Sequence, residues 1–517
     1  MTAAPVARPG ATRWGLALAV GALGAVLLLL LARPLLVHPV HYDELLHILS
    51  ARGLLEGGAP TIADGLYARA QLFTRAVALA FRIAGDDPVS ARLPALAGAV
   101  LLLLLVGAWV ARRAGWLAGL AAALLLAIVP STVDVAVFAR FYTFHAVVVT
   151  VMAIAAFEAS RPGLAPSSRA GWVALALLLV PLGWHFQETT VIAVGATIAA
   201  ATMLALYDHR DRAIATVRRH PLAIGLGALA LAGIAAVALT QLGLVRVFGS
   251  TALWAARDAT RFQYYLVEFR RELPLLLPLL PVCAWLGLAA ESRRRLVLFA
   301  LVLVAAALLV HSVAAQKTMR YVYDVVPWMC VLWAVALAEA VDRWPESRLA
   351  RPLLVVLLGA TTVLSVEGVR ALNLLAGRVD SLDVRPFGTE PDWSGALPRL
   401  AGPAHDAARV ITSNSMKALY YLGRYDLELN ATIVPETDTQ AEFGRDERTG
   451  RRVISRPESV SRALSGPGDS LVVLETEKIG RASGVPTEAF DVVRERCLEI
   501  ALPESTLLRA WRCTPPR

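Results

Sequence analysis

Long apolar blocks separated by short polar segments occupy most of the chain. Each block is close to the roughly 20 apolar residues that an α-helix needs to cross ~30 Å of hydrocarbon. The pattern therefore predicts about eleven membrane-spanning helices and a mainly α fold. Their approximate ranges are 14–36, 91–111, 115–131, 143–159, 170–184, 189–206, 221–243, 273–290, 295–313, 324–341 and 352–374.

The polar segments between the blocks differ in charge, and this difference predicts an orientation. With the N-terminus in the cytoplasm, every inner loop carries an excess of arginine, as the positive-inside rule requires. These inner-loop arginines are Arg112, Arg113, Arg161, Arg169, Arg210, Arg212, Arg218, Arg219, Arg293, Arg294, Arg295, Arg343, Arg348 and Arg351. An odd number of spans then leaves the C-terminal residues outside. We expect a multi-pass protein of the cell membrane with a cytoplasmic N-terminus and an extracytoplasmic C-terminal domain.

The residues after about 378 change to the composition of an ordinary globular domain. A strand-like run, Arg409–Thr412, precedes a helix-like run, Ser415–Leu422. A second helix-like run, Glu458–Leu464, precedes an apolar strand, Leu471–Glu475, and two more strands are expected near the end of the chain. These alternating elements predict a small α/β domain.

The first outer loop also has predicted structure of its own. Apolar residues recur at helical spacing among arginines near Asp43–Glu56 and Leu66–Ala84, which indicates two helices lying in the membrane interface. The predicted domains are a transmembrane catalytic domain, residues 1–378, which includes this loop, and a soluble α/β domain, residues 379–517.

Composition and charge limit the class of function. At 57% hydrophobic and 18% charged residues, the chain is too apolar for an ordinary soluble protein. The net charge of +9 could suggest nucleic acid, but the arginines of the inner loops account for the excess. We therefore expect membrane lipids and no nucleic acid among its partners. Residues 379–517 contain no glycine-rich phosphate loop, so a nucleotide site there is unsupported.

Two adjacent carboxylates, Asp43 and Glu44, follow the first predicted span, and His47 lies one helical turn further on. Charges at a membrane boundary are costly to place unless they have a role, which makes both acids candidate catalytic groups. The alternative is a solvated helix start, since acids suit the positive end of the helix dipole. Asp43 and His47 share a helix face, so they could bind an acceptor or a divalent metal ion together, but two ligands do not define a metal site.

A basic pair, Lys317 and Arg320, marks the outer end of the ninth predicted span. The two residues are three apart, so in a helix they can converge on one anion. They lie on the side where topology does not require cations, and a basic pair at headgroup depth suits a lipid phosphate. The alternative is that both side chains extend to the headgroups and hold the helix end there.

Two more acids lie in short outer loops, Asp134 in the second and Glu188 in the third. Each would be an ordinary solvated charge if it stood alone. Together with the first-loop acids and the basic pair, they place charged groups from several outer loops on one side of the membrane. Asp134 is therefore a candidate catalytic residue, and Glu188 a candidate for binding an acceptor or a metal ion.

Several short elements together resemble a known family. The chain has an acid pair opening a long first outer loop, Ser90-Ala-Arg-Leu-Pro94 entering the second span, Ala139-Arg-Phe-Tyr142, and Arg320-Tyr321 followed by Pro327. This combination resembles the GT-C membrane glycosyltransferases, in particular the branch of protein O-mannosyltransferases and bacterial aminoarabinose transferases. The resemblance covers about residues 14–345.

The resemblance implies roles for these residues. In that family the first-loop acid is the catalytic base and late basic residues hold the carrier phosphate, which implies Asp43 as the base. Lys317, Arg320 and Tyr321 would then form the donor-phosphate site, and Glu44 or Asp134 would orient the acceptor or a cation. The implied donor is a polyprenyl-phosphate sugar, because nucleotide sugars are cytoplasmic and the predicted site faces outside.

Two other functions are compatible with many spans and charged outer loops. A transporter or flippase of lipid-linked glycans would show intramembrane charges, but repeated halves are missing from the sequence and the acids cluster at one face. A non-catalytic scaffold would explain neither the acids nor the basic pair. The sequence leaves the sugar, the metal dependence and the acceptor open, the acceptor being a lipid, a cell-envelope glycan or a secreted protein.

The two cysteines of the C-terminal domain, Cys497 and Cys513, flank two apolar runs joined by a turn-prone Pro503-Glu-Ser505. A hairpin centred near Ser505 brings the cysteines opposite each other, within disulfide distance. We expect a disulfide between them, which an oxidising outer compartment would permit. The alternative is a pair of free thiols in a reducing compartment.

Overall fold

A computed structural model of the chain describes residues 10–33, 36, 40–210, 262–314, 317–343, 352, 369, 391–431, 444–446, 448–481 and 484–515. The described residues divide into two compact units. The first, which we call the helical unit, comprises residues 1–36 and 95–384. The second, which we call the sheet unit, comprises residues 37–94 and 385–517. The predicted first outer loop thus clusters with the C-terminal residues. The predicted domain boundary at residue 378 is not tested and remains a prediction.

Mostly apolar helices make up the described part of the helical unit. They are α1 (Gly10–Ala32), α4 (Pro88–Ala114), α5 (Trp116–Ile128), α6 (Pro130–Ala136), α7 (Tyr142–Ala159), α8 (Pro166–Phe186), α9 (Thr190–Asp208), α10 (Tyr264–Glu272), α11 (Leu276–Ala289), α12 (Glu291–Val313) and α13 (Val326–Arg343). They pack largely in pairs, with α1 and α13 against α5, α8 against α7, and α12 against α9. Two 3-10 turns, Met319–Tyr321 and Tyr323–Val325, lead into α13.

Six of the described helical segments are long and apolar enough to cross a membrane, and the number rises to eight if each of two bent helix pairs is one span. The prediction of a mainly helical, multi-pass membrane protein is confirmed at this level. The predicted span 221–243 and, apart from residues 352 and 369, the span 352–374 lie outside the described residues, so the count of eleven remains a prediction.

A sharp bend divides one predicted span. The block 115–131 reads as a single helix in the sequence, but α5 ends at Ile128 and α6 begins at Pro130, with a bend of 66° between them. Proline cannot donate a backbone hydrogen bond and disfavours helical geometry in the residue before it, which explains the break at Val129. The short helix α6 carries Asp134.

Two of the predicted inner-loop arginines, Arg113 and Arg293, make ion pairs between helices of the helical unit. Arg113 on α4 donates to the buried Glu158 on α7 at 2.7 Å. Arg293 on α12 pairs with Glu339 on α13 at 2.7 Å and also donates to the carbonyl of Ala114 at 3.2 Å. Opposite charges and a carbonyl at the helix ends therefore satisfy these arginines, while the side of the membrane on which they lie remains a prediction.

The sheet unit contains two helices and a hairpin from the first outer loop. These are α2 (Tyr42–Gly57), β1 (Thr61–Ile62), β2 (Gly65–Leu66) and α3 (Gln71–Ala84). The predicted second helix, 66–84, is therefore wrong at its start, because residues 65 and 66 pair with β1 in an antiparallel hairpin. The helix begins only at Gln71.

A seven-stranded sheet forms the rest of the sheet unit. Its strands lie in the order β5-β6-β4-β3-β7-β9-β8, with β6, β4, β3 and β7 parallel. The elements are α14 (Trp393–Asp406), β3 (Arg409–Thr412), α15 (Ser415–Leu422), β4 (Leu427–Leu429), β5 (Gly444–Arg445), β6 (Arg452–Ile454), α16 (Pro457–Leu464), β7 (Ser470–Glu475), α17 (Thr487–Arg496), β8 (Leu498–Ile500) and β9 (Leu508–Cys513).

Alternation along the strands gives the sheet an apolar core on each face. Val410 and Leu471 lie in one core cluster, and Ile411 and Val472 lie in the other. At the edge of the sheet, β8 and β9 pair antiparallel, and a disulfide joins Cys497 to Cys513 with their Cα atoms 4.3 Å apart. The predicted hairpin and disulfide are confirmed.

Candidate active site

Asp43 lies in the first turn of α2, and His41 is the N-cap of that helix. The imidazole of His41 accepts a hydrogen bond from the Asp43 amide at 3.1 Å, and the Glu44 carboxylate accepts one from the His41 amide at 2.9 Å. This reciprocal capping box fixes the start of the helix. The half-buried Asp43 is therefore held on an ordered turn at the start of the helix.

Glu44 has a different environment from its neighbour. Arg92, at the N-terminal end of α4, donates from Nε to Oε1 at 2.7 Å and from Nη2 to Oε2 at 2.8 Å. Both side chains have zero exposure. A fully buried bidentate ion pair keeps both oxygens of Glu44 in use, so the geometry suits support of α2 rather than proton transfer.

His47 is buried among rings. Its Nδ1 lies 2.9 Å from the Thr74 hydroxyl, and its ring meets Tyr67 and Phe73 edge-on at 5.2 and 5.0 Å. These contacts join α2 to α3 and the loop before it. His47 and Asp43 are both on α2, but the environment of His47 is that of a packed core residue.

The predicted phosphate residues lie between α12 and α13 in the helical unit. Lys317 is buried, and its ammonium group donates to the carbonyl of Ala314 at 2.5 Å. Burial lowers the pKa of Lys317 from its usual value. An ammonium has three N–H donors, so this one contact leaves capacity for an anion. Arg320 and Tyr321 follow in the 3-10 turn and are half-buried.

Two arginines near these residues, Arg320 and Arg140, lie against the same aromatic ring. The Arg320 guanidinium carbon lies 4.9 Å from the Phe138 ring centroid and 5.8 Å from that of Tyr142. The Arg140 guanidinium carbon lies 6.0 Å from the same Tyr142 ring, and Tyr321 approaches Tyr142 at 6.4 Å. We call Phe138, Arg140, Tyr142, Arg320 and Tyr321 the arginine–aromatic cluster. Stacking uses the faces of the guanidinium groups, whose N–H donors point outward in the plane.

Arg140 is a functional candidate that sequence reasoning did not assign. It is 4% exposed and shares Tyr142 with Arg320, although it lies in a different loop. The sequence signal was an arginine in a short outer loop, where the positive-inside rule does not place one. Asp324, a second missed residue, is 5% exposed in the 3-10 turn before α13, and its Oδ1 has no hydrogen-bond partner among the described residues.

The remaining predicted acids occupy different environments. Asp134 is half-buried on α6, and Glu188 is exposed in the turn between α8 and α9. Among the residues that the structure describes, no three His, Cys, Asp or Glu side chains group in a way that could hold a metal ion.

Comparison with known structures identifies the fold. ArnT from Cupriavidus metallidurans in the apo state matches with a TM-score of 0.61 and 16% identity, over 95% of this chain and 98% of that chain. The chain therefore has a fold similar to that of ArnT. ArnT bound to undecaprenyl phosphate matches with a TM-score of 0.62 and 14% identity, over 98% and 100% of the two chains.

A structure from an archaeon is also similar. The apo oligosaccharyltransferase from Archaeoglobus fulgidus matches with a TM-score of 0.58 and 14% identity, over 92% of this chain and 72% of that one. The amino-acid sequence alone matches no protein-family model and no curated protein. The resemblance to the GT-C branch containing aminoarabinose transferases is confirmed in the fold.

Proposed function

We propose that the chain is a glycosyltransferase that moves a sugar from a polyprenyl-phosphate donor to the hydroxyl of an extracytoplasmic acceptor. Similarity to ArnT along nearly the whole chain carries this proposal, because that protein was solved with undecaprenyl phosphate. The arginine–aromatic cluster supports it locally. The guanidinium groups of Arg140 and Arg320 both approach the Tyr142 ring, and the buried Lys317 lies in the same segment as Arg320. Such a group of cations suits the phosphate of a lipid donor.

The reaction requires one bond to form and one to break at the anomeric carbon. The acceptor oxygen attacks that carbon, and its proton passes to the Asp43 carboxylate. The bond from the anomeric carbon to the phosphate oxygen breaks with its electron pair on oxygen, so polyprenyl phosphate leaves as an anion. Direct displacement inverts the anomeric configuration.

Different residues stabilise the leaving phosphate and accept the proton of the acceptor hydroxyl. A phosphate leaves readily when cations stabilise it, and we assign this stabilisation to Lys317, Arg320 and Arg140, with Tyr321 packed beside them. The acceptor hydroxyl is the poorer reactant, and a positioned carboxylate such as Asp43 contributes about 10²–10⁴-fold. In this proposal Glu44 supports α2 through Arg92, and Asp134 orients the acceptor.

An Asp43→Asn variant tests the assignment of the base. The change removes the proton acceptor but almost no volume, so turnover should fall by about 10²–10⁴-fold while the melting temperature stays within a few degrees. Glu56→Gln is the matched control, because it makes the same change of charge at an exposed position on the same helix. If Asp43→Asn kept a tenth of the wild-type turnover, Glu44 or Asp134 would have to be the base.

A further inference from the structure

The first residue of α2 is held by the C-terminal sheet. The ring of Tyr42, adjacent to Asp43, has the Arg448 guanidinium carbon 5.7 Å and the Lys478 ammonium nitrogen 5.9 Å from its centroid. These two cations come from different parts of the domain, the turn before β6 and the turn after β7. Burial raises the pKa of the Tyr42 phenol, so the ring stays neutral and keeps its attraction for cations.

Buried acids fix both cations in place. Asp446, which is 3% exposed, accepts from Nε and Nη2 of Arg448 at 2.9 and 3.0 Å. Glu475, at the end of β7, pairs with Lys478 at 2.7 Å. Asn414 also donates to Glu475 at 2.7 Å. The surface that receives Tyr42 is therefore built into the sheet domain and cannot shift without breaking buried contacts.

A second contact joins the same turn to the first outer loop. The amide of Asp64 donates to the carbonyl of Thr449 at 2.9 Å, and the Asp64 carboxylate pairs with Arg451 at 2.7 Å. A Cβ atom added to Gly65 would lie 2.4 Å from the backbone oxygen of Arg448. The loop backbone thus touches the backbone of the residue that holds Tyr42, and only glycine permits this approach.

A third contact supports the middle of α2. Arg52 lies 4.8 Å from the Tyr420 ring centroid while its Nε donates to both carboxylate oxygens of Asp86, and α2 packs against α15. The helix is thereby held at its start, along its side and through the hairpin that follows it. The three contacts together fix where its first turn can lie.

We propose that the C-terminal α/β domain positions the candidate base, and that Tyr42 is the positioning residue through which it does so. This role rests on the proposed function of Asp43. Misplacement of a reacting group by about 1 Å can cost about 10²-fold in rate, so anchoring one residue away from the carboxylate has a direct effect on turnover. The domain contributes no reacting group in this account.

Variants of the full-length protein in lipid vesicles test the proposal. Tyr42→Leu removes the ring, Tyr42→Phe retains it, and Gly65→Val pushes the hairpin away from Arg448. Gly57→Val is the matched control, because nothing lies within 4 Å of a Cβ at Gly57. The first readout is amide hydrogen exchange of residues 42–46. We expect faster exchange there in Tyr42→Leu and Gly65→Val, and wild-type exchange in Tyr42→Phe and Gly57→Val.

The second readout is transfer from an undecaprenyl-phosphate-linked sugar to a cell-envelope fraction. Tyr42→Leu and Gly65→Val should lower kcat by about 10–100-fold with the donor KM within about twofold, and Tyr42→Phe should rescue kcat. A merely structural role would instead reduce the folded amount and leave the kcat of the folded fraction unchanged.

Two results would overturn the positioning role. The first is unchanged exchange at residues 42–46 in Tyr42→Leu, which needs no activity to be measured. The second is an unchanged kcat in Tyr42→Leu when Asp43→Asn is inactive, which would leave the proposed function standing. Unchanged turnover in Asp43→Asn as well would instead remove the assignment of the base.

Discussion

The buried ion pair between Glu44 and Arg92 provides a quantitative test of how the first turn of α2 is supported. We consider Arg92→Leu, Glu44→Gln and the double variant Glu44→Leu/Arg92→Met. Each single variant leaves one charge with zero exposure and without its bidentate partner. The double variant removes both charges and replaces them with apolar side chains of similar volume.

The expected magnitudes follow from this burial. Leaving one member of a buried pair uncompensated costs about 3–5 kcal/mol. For a unit of about 190 residues, each kcal/mol shifts the melting temperature by about 2–4 °C, so each single variant should melt roughly 6–20 °C lower. Replacing both members is close to neutral, apart from about 1 kcal/mol for losing the contact of Glu44 with the His41 amide.

Thermal melting and hydrogen exchange of the purified protein measure these effects, with exchange read in peptides from α2 and β3. The single variants should be strongly destabilised and the double variant should recover most of the loss. A double variant as unstable as the singles would show that lost packing, not an unpaired charge, is responsible. A stable double variant without transfer activity would refute the supporting role and return Glu44 to the reaction itself.

Three further predictions concern the donor site, the disulfide and the topology. Lys317→Ala and Arg320→Ala should each raise the donor KM by about 10–100-fold, because each removes a charged contact worth about 1.5–3 kcal/mol, and unchanged donor dependence in both would place the phosphate elsewhere. In the non-reduced, thiol-blocked protein, mass spectrometry should find Cys497 linked to Cys513, whereas alkylation of both without reduction would exclude the bond. A reporter enzyme that works only outside the cytoplasm should be active when it is fused after Arg517. Activity of a reporter that works only in the cytoplasm would contradict the predicted topology.

Local signals explain which elements of the fold could be predicted. Strand β3 and helix α15 agree with the sequence prediction because their ends are marked in the chain. Asn414 caps the helix, accepting from the Lys417 amide at 3.2 Å, and Gly423 ends it with a positive φ of 75°. Strands β4 and β6 were not predicted. Each has only three residues, includes a charged side chain, and depends on parallel neighbours from distant parts of the chain.

Long-range contacts also explain what the sequence could not show of the site. Asp43 and Glu44 are adjacent acids, and the pattern of residues alone does not show which of them is the base. Their difference comes from Arg92, 48 residues later, which occupies both oxygens of Glu44. The association of Arg140 with Arg320 likewise depends on the Tyr142 ring that both approach. Residue type and topology could predict the candidates, but their roles depend on tertiary partners.

The fate of the bond between sugar and phosphate tests the central claim most directly. The purified chain in lipid vesicles would receive undecaprenyl-phosphate-linked sugars, labelled in the sugar and in the phosphate, together with a cell-envelope acceptor fraction. We predict one polyprenyl phosphate released for each sugar transferred, inversion at the anomeric carbon, and transfer by Asp43→Asn that is slower by about 10²–10⁴-fold. Movement of the intact lipid-linked sugar between leaflets, with both labels still joined and no acceptor glycosylated, would contradict the account and identify a flippase instead.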